Sequence, residues 1–322
     1  MAQSQPAIVF EHVVKEYEDG TRAVDDVSLE IPHGAFAVIV GPSGCGKTTL
    51  LKTVNRLYEP TSGRVLVDGQ DALAVDPVLL RRGIGYVIQQ VGLFPHMTVA
   101  ENIGVVPSLV GWDALRTAQR VDELLALVHL EPNQYRARYP AQLSGGQQQR
   151  VGLARALAVD PAILLMDEPF GAIDAIERER LQDELCALQA RLHKTVLFVT
   201  HDVEEALKLA DLLIVMRAGR IEQAGTPLEV LTGPANVFVG ALVNADDVLR
   251  RFSLMPVERA MGAASDGASS GYKILAGRTL RDALATMVSA GVDSLQVVDA
   301  AGAPLGTITL ADLRRAARPA TK

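Results

Sequence analysis

Gly41-Pro42-Ser43-Gly44-Cys45-Gly46-Lys47-Thr48 packs glycines, a lysine and a hydroxyl into one short stretch, between an apolar run and a helical pattern that begins with Lys47, Thr48 and Thr49. Glycines let backbone N–H groups converge on phosphate oxygens, and the helix N-terminus behind them adds a positive dipole. In that setting Lys47 would hold the β- and γ-phosphates of a nucleotide, and Thr48 would place its hydroxyl on Mg²⁺. Cys45 within the loop reads as a small filler, with an oxidation-sensitive thiol as the alternative. A second pair of chemical groups, Asp167-Glu168, follows the apolar run Ile163–Met166. A buried strand there aims Asp167 at the carboxyl edge of a sheet, where nucleotides sit in α/β folds. Asp167 would hold Mg²⁺ through water, and Glu168 would polarise the attacking water.

These groups need a scaffold, and the pattern supplies one. Residues 8–12 and 23–31 read as strands around a turn at Glu18-Asp19-Gly20, followed by strands at Ala35–Val40, Arg64–Val67 and Ile84–Ile88. From about Thr98 to Val159 the period turns helical, with Val121, Leu124, Leu125 and Val128 on one face. Ile163–Met166, Thr195–Thr200 and Leu212–Met216 are further strands, separated by helices over Ile173–Leu192 and Val203–Leu209. Strands alternating with helices predict an α/β architecture with a mainly parallel sheet. The texture changes after about Asn236. Met261–Gly271 is loop-like, and a small unit follows, with helices near Leu280–Ala290 and from Ala311, and strands at Leu295–Val298 and Leu305–Thr309.

The phosphate loop and the acidic pair indicate a P-loop NTPase; further residues narrow it. Leu143-Ser144-Gly145-Gly146-Gln147 resembles the signature sequence of ABC ATPases. Gln89 resembles their Q-loop glutamine, His201 the switch histidine, Asp174 the D-loop aspartate, and Tyr17 the aromatic residue that stacks on adenine. Together these elements cover residues 8 to about 232. The resemblance implies an ABC-type P-loop fold, with an antiparallel β part and a helical subdomain over about 92–160 in an ATP-binding domain of residues 1–238. It also implies ATP and Mg²⁺ as ligands, with Gln89 near the metal and His201 on the γ-phosphate. Ser144, Gly145, Gly146 and Gln147 would meet the ATP held by a second copy, so the working unit would be a homodimer. Leu93–Thr98 would help form a groove for an integral-membrane permease subunit.

Residues 239–322 carry one segment, near 254–317, that resembles a CBS motif, including Gly306-Thr307-Ile308-Thr309-Leu310-Ala311-Asp312. In that pattern Thr309 and Asp312 can hold a ribose. Such small C-terminal α+β tails resemble those of importer ATPases for glycine betaine, choline, carnitine and proline betaine. The longer relatives carry two motifs where this chain shows one. A regulatory nucleotide site and a packing appendage are therefore both open. Importers of another small polar solute, such as an amino acid or polyamine, and non-transport ABC ATPases are the alternatives.

Composition narrows the partners. The chain has 322 residues, a formal net charge of −7 and 4% aromatics, which argues against a protein that coats nucleic acid. No apolar run reaches the ~18 residues that span a bilayer. Two cysteines, Cys45 and Cys186, make no disulfide framework. The expectation is a peripheral subunit on the cytoplasmic face of the cell membrane, working with permease subunits and, through them, an extracytoplasmic binding protein. Arg314, Arg315, Arg318 and Lys322 form a basic C-terminus, either a solvated helix end or a contact to anionic lipid.

Overall fold

The computed structural model describes residues 5–89, 92–171, 173–262 and 271–317. The chain divides into two compact units, 1–224 and 225–322.

The first unit holds two sheets. Strands β1 (Ile8–Glu16), β2 (Arg22–Ile31), β4 (Ser62–Val67) and β5 (Gln70–Asp71) form a four-stranded sheet in the order β2-β1-β4-β5. All its pairings are antiparallel. The strands β3 (Phe36–Val40), β6 (Ile84–Val87), β7 (Ile163–Asp167), β8 (Thr195–Thr200), β9 (Leu212–Arg217) and β10 (Arg220–Gly225) form a six-stranded sheet in the order β10-β9-β3-β8-β7-β6. From β9 to β6 the pairing is parallel. Every residue of β3, β7 and β8 is buried, as a parallel strand covered on both faces requires. This explains why these three strands read as continuous apolar runs. The inner faces of the two sheets share one core, in which Phe10, Ile31, Ile39, Leu50, Leu51 and Leu165 are almost wholly enclosed.

Helices Val99–Leu109, Ala114–Leu127 and Gly145–Ala156 make up the helical part. Val121, Leu124, Leu125 and Val128 are buried, the face that the 3.6-residue period predicts. Asn102 is fully buried there and spends its amide on the preceding loop. Its Oδ1 accepts from Phe94 N at 2.8 Å, and its Nδ2 donates to the carbonyls of Phe94, Met97 and Thr98 at 2.9–3.1 Å. A single side chain thus fixes the segment after the Gln89 turn.

The expected helix over Ile173–Leu192 begins at Ala175, because Asp174 acts as its N-cap and accepts from Glu177 N at 3.1 Å. The helix Pro77–Arg82 and strand β10 add to the expected elements.

The second unit contains a three-stranded sheet, β11 (Lys273–Leu275), β12 (Ser294–Val298) and β13 (Pro304–Thr309), with β12 central. Helices Val248–Leu254, Leu280–Ala290 and Leu310–Ala316 accompany it. Phe252, Val257, Leu280, Met287, Leu295, Val297 and Ile308 form its own core. Helix Pro227–Thr232, which the sequence boundary at 238 assigns to the ATP-binding domain, and helix Val237–Val243, which that boundary cuts, fall in this second unit.

Candidate functional site

The carboxyl ends of β3, β6, β7 and β8 bring four sequence segments to one edge of the parallel sheet. After β3 the chain turns through Gly41–Gly46 into the helix Lys47–Val54. Two glycines are required by close approach. A Cβ on Gly41 would collide with the Met216 carbonyl oxygen, and one on Gly46, at φ +103°, with that of Ala23. Gly46 also stands at the N-cap without a side chain to offer, so no side-chain bond caps this helix. Lys47 is buried, and its Nζ donates to the carbonyls of Gly41 at 2.8 Å and Pro42 at 3.0 Å. Burial pushes the Cys45 thiol up, with Lys47 pulling the other way, so little thiolate forms and the filler reading of Cys45 is the better supported.

Thr48 Oγ1 donates to Asp167 Oδ1 at 2.7 Å. The second residue of one helix is thereby joined to the end of β7, across 119 residues of sequence. Asp167 is buried, and the phenol of Tyr86 on β6 is pushed well above its ordinary range by burial and then by the Asp167 carboxylate. A hydroxyl and a carboxylate in contact offer hard oxygen ligands of the kind Mg²⁺ takes, with phosphates and water completing its shell. Among the described residues no group of three or more His, Cys, Asp or Glu side chains could hold a metal by itself.

Glu168 takes a left-handed backbone, φ 45°, directly after β7. Its amide donates to the Val199 carbonyl at 2.9 Å, which fixes it against β8. A left-handed non-glycine residue at a strand end is a strained choice that fixes where its side chain points. Glu168 Oε2 lies 3.0 Å from His201 Nδ1 and accepts from Gln89 Nε2 at 3.2 Å. The strand order puts β7 between β6 and β8, so Gln89 and His201 flank Glu168 from either side.

Tyr17 stands beside the same loop. Its hydroxyl is 3.3 Å from Thr49 Oγ1, and its ring meets Tyr58 edge to face, with centroids 6.1 Å apart and planes at 88°. Lys15 Nζ lies 5.7 Å from the Tyr17 centroid. Tyr58 is a neighbour that the sequence reading missed; no local pattern marks it, because it lies far along the chain after the Lys47–Val54 helix.

The remaining site residues gather elsewhere. Ser144, Gly145, Gly146 and Gln147 line a concavity of ≈ 560 Å³ together with Asp174 and Glu177, and no residue of the 41–49 loop lines it. Ser144 caps its helix: its Oγ accepts from Gln147 N at 3.3 Å, and Gln147 Oε1 accepts from Ser144 N at 3.0 Å. A larger concavity of ≈ 890 Å³ opens on the helical part, lined by His96, Met97, Glu101, Trp112 and Val121 among others.

In the second unit, Thr309 and Asp312 turn on each other. Thr309 Oγ1 donates to Asp312 Oδ2 at 2.6 Å, and Asp312 N donates to Thr309 Oγ1 at 3.2 Å. Thr309 N also donates to Asp312 Oδ2 at 3.0 Å, which completes a capping box, and Arg315 pairs with Asp312 Oδ1 at 3.3 Å beside it. Arg314 and Arg315 are exposed, while Arg318 and Lys322 lie outside the described residues. No helix among the described residues is long and apolar enough to cross a membrane.

Comparison with known proteins follows these divisions. A family profile described as ABC transporter matches residues 24–171, and one described as CBS domain matches residues 273–319. The chain is 49% identical over 291 residues to the glycine betaine/carnitine/choline transport ATP-binding protein OpuCA of Bacillus subtilis, covering 90% of this chain and 75% of that protein. It is 46% identical over 307 residues to the glycine betaine uptake system ATP-binding protein YehX of Escherichia coli, covering 95% and 98%. A solved ATP-binding cassette, described as a dimeric post-hydrolysis state bound to ADP and Pi, aligns with a TM-score of 0.62 at 34% identity, over 68% of this chain and 98% of that one.

Proposed function

Because this chain belongs to the ATP-binding subunits of ABC transporters, we propose that it hydrolyses ATP to drive uptake of a quaternary-amine osmoprotectant such as glycine betaine, choline or carnitine. The observation that carries the hydrolytic part is the Glu168 carboxylate, held between Gln89 and His201 next to the Thr48–Asp167 pair. The similarity that carries the solute class runs through the tail as well as the ATP-binding unit.

In this reading the backbone N–H groups of 41–48 and the Lys47 ammonium hold the β- and γ-phosphates, and Tyr17 stacks on adenine. Thr48, Asp167 and Gln89 would hold Mg²⁺, whose charge would offset that of the phosphates. Glu168 takes a proton from the water whose oxygen attacks the γ-phosphorus, and the bond to the leaving ADP oxygen breaks in line. His201 orients the Glu168 carboxylate and faces the γ-phosphate. Ser144–Gln147 and Asp174 line a surface apart from this loop, so they serve the ATP of a second copy, and the functional unit is a homodimer. The groove at His96, Met97 and Trp112 is the candidate seat of a permease subunit, with the chain working on the cytoplasmic face of the membrane. Residues 225–322 act mainly as a packing or dimerisation appendage. The Thr309–Asp312 capping box favours that role over a ribose site.

The test uses the full chain together with its permease. Glu168→Gln should bind ATP, accumulate as a dimer and turn over slowly. Uptake of labelled glycine betaine should stop in cells carrying it. Unchanged turnover would remove Glu168 as the base. Normal glycine betaine uptake alongside loss of amino-acid or polyamine uptake would move the solute class.

A further inference from the structure

Arg150 lies in the Gly145–Ala156 helix and is buried, at 6% exposure. A guanidinium is tolerated in such a place only where its donors are matched. Nη1 donates to the Val128 carbonyl at 3.0 Å, and Nη2 donates to Glu184 Oε1 at 2.8 Å, with Glu177 Oε1 3.8 Å from the same nitrogen. Both glutamates belong to the Ala175–Leu192 helix, which Asp174 caps. Arg180 closes the group, 3.3 Å from Glu184 and 4.0 Å from Glu177. Glu177 also backs directly onto the second signature glycine: a Cβ on Gly146 would lie 2.8 Å from its Oε1.

One cluster of alternating charge thus fastens together the two helices whose starts present Ser144 and Asp174 to the same concavity. Apolar packing at this junction is incomplete. A cavity of ≈ 50 Å³ lies between the same two helices, lined by Leu127, Leu153, Phe170 and Leu185. Gln149 Oε1, from another lining residue, is buried with no hydrogen-bond partner among the described residues. A void removes contacts that would help set the register, and the directional ionic bonds add to what sets it.

We propose that Arg150 is a positioning residue for ATP hydrolysis, locking Ser144–Gly146 and Asp174 into one rigid body. It has no contact with ATP. It fixes the spacing of the two segments that meet the ATP held by the second copy, and so rests on the two-copy reading above.

The experiment uses the purified full chain and steady-state ATPase kinetics. Variants are Arg150→Met, the double variant Arg150→Met/Glu184→Met, and Ser144→Ala as a gauge of the two-copy site. Arg150→Met should lower kcat on the order of 10²-fold, the loss expected when a reacting group is misplaced by about an ångström. The Hill coefficient for ATP should fall towards one. Binding of a fluorescent ATP analogue to dilute, monomeric protein should be unchanged. The double variant replaces an ion pair by two apolar chains and should recover the thermal midpoint without recovering kcat. Recovery of kcat in the double variant would reduce the cluster to a stability element and overturn the proposal. So would full kcat in Arg150→Met when Ser144→Ala has lost it. Full kcat in Ser144→Ala would overturn the two-copy reading itself.

Discussion

Thr48→Val removes one hydroxyl from the phosphate loop and little else. Valine keeps the β-branch, so helix propensity and χ1 restriction change little. The lost bond is that from Thr48 Oγ1 to Asp167 Oδ1 at 2.7 Å, and its acceptor is a carboxylate at 7% exposure. A hydrogen bond to a charged group is worth about 1.5–3 kcal/mol net. Each kilocalorie moves the midpoint of a unit this size by roughly 2–4 °C, so the ATP-binding unit should melt about 3–12 °C lower. The assay is differential scanning calorimetry without nucleotide or Mg²⁺, following the transition of that unit. Thr48→Ser should retain most of the stability, since it restores the donor. Adding Asp167→Asn to each variant closes a double-mutant cycle that isolates the pair. A midpoint for Thr48→Val within about 1 °C of the parent, well inside that 3–12 °C span, would refute the argument that this bond joins the loop to β7. ATPase activity should be lost in Thr48→Val and kept in Thr48→Ser, because the same oxygen serves the proposed metal.

Three further outcomes follow from the geometry. Tyr17→Ala should raise KM for ATP with kcat nearly unchanged, since base stacking is worth roughly 1–3 kcal/mol and acts on ground and transition states alike; steady-state kinetics separates the two. Gly41→Ala should abolish ATP binding, because its Cβ meets the Met216 backbone, which cannot rotate aside; measurable binding by titration calorimetry would contradict this. Glu205 is buried on the Val203–Leu209 helix, and burial pushes its carboxyl above the ordinary range despite the bond from Gln182 Nε2 at 3.2 Å. A raised carboxyl favours the fold most when protonated, so its contribution is full below the unfolded-state value and is lost as pH rises through the higher folded value. Glu205→Gln should therefore melt higher than the parent at mildly alkaline pH, and the gain should vanish on acidification; melting curves across pH decide it.

Much of the candidate site was legible because its parts are local. The all-buried strands β3, β7 and β8 read as apolar runs, and the loop at 41–48 has its glycines where backbone approach demands them. Strand order was not legible. That β7 lies between β6 and β8, and so brings Gln89 and His201 onto one oxygen of Glu168, is a property of the sheet and has no local signal. Strand β10 was missed because it has no buried residue. The Pro77–Arg82 helix did carry a signal, an Asp76 cap followed by proline at the first helical position. Arg150 was invisible for a different reason. A charge within a polar helical pattern reads as solvated until a second helix supplies Glu184. The tail shows the converse: Thr309 and Asp312 have the residue types for holding a ribose, but at this spacing they also suit a helix cap, and that is the bond they make.

The bare start of the Lys47–Val54 helix has a thermodynamic consequence. Asp76, Thr98, Asp113, Ser144, Asp174 and Asp202 each give a side-chain oxygen to the helix that follows, and Gly46 gives none. Phosphate oxygens are the natural acceptors for those first amides, so the nucleotide doubles as the missing cap. By mass action, ATP at a hundred times its dissociation constant adds about 2.7 kcal/mol to the stability of the unit that binds it. That lies near the upper end of the loss of about 1.5–3 kcal/mol worked out for Thr48→Val. The adenylate pool of the cell is therefore a buffer for this fold. A substitution that weakens this loop is therefore masked at saturating nucleotide and exposed when nucleotide is removed.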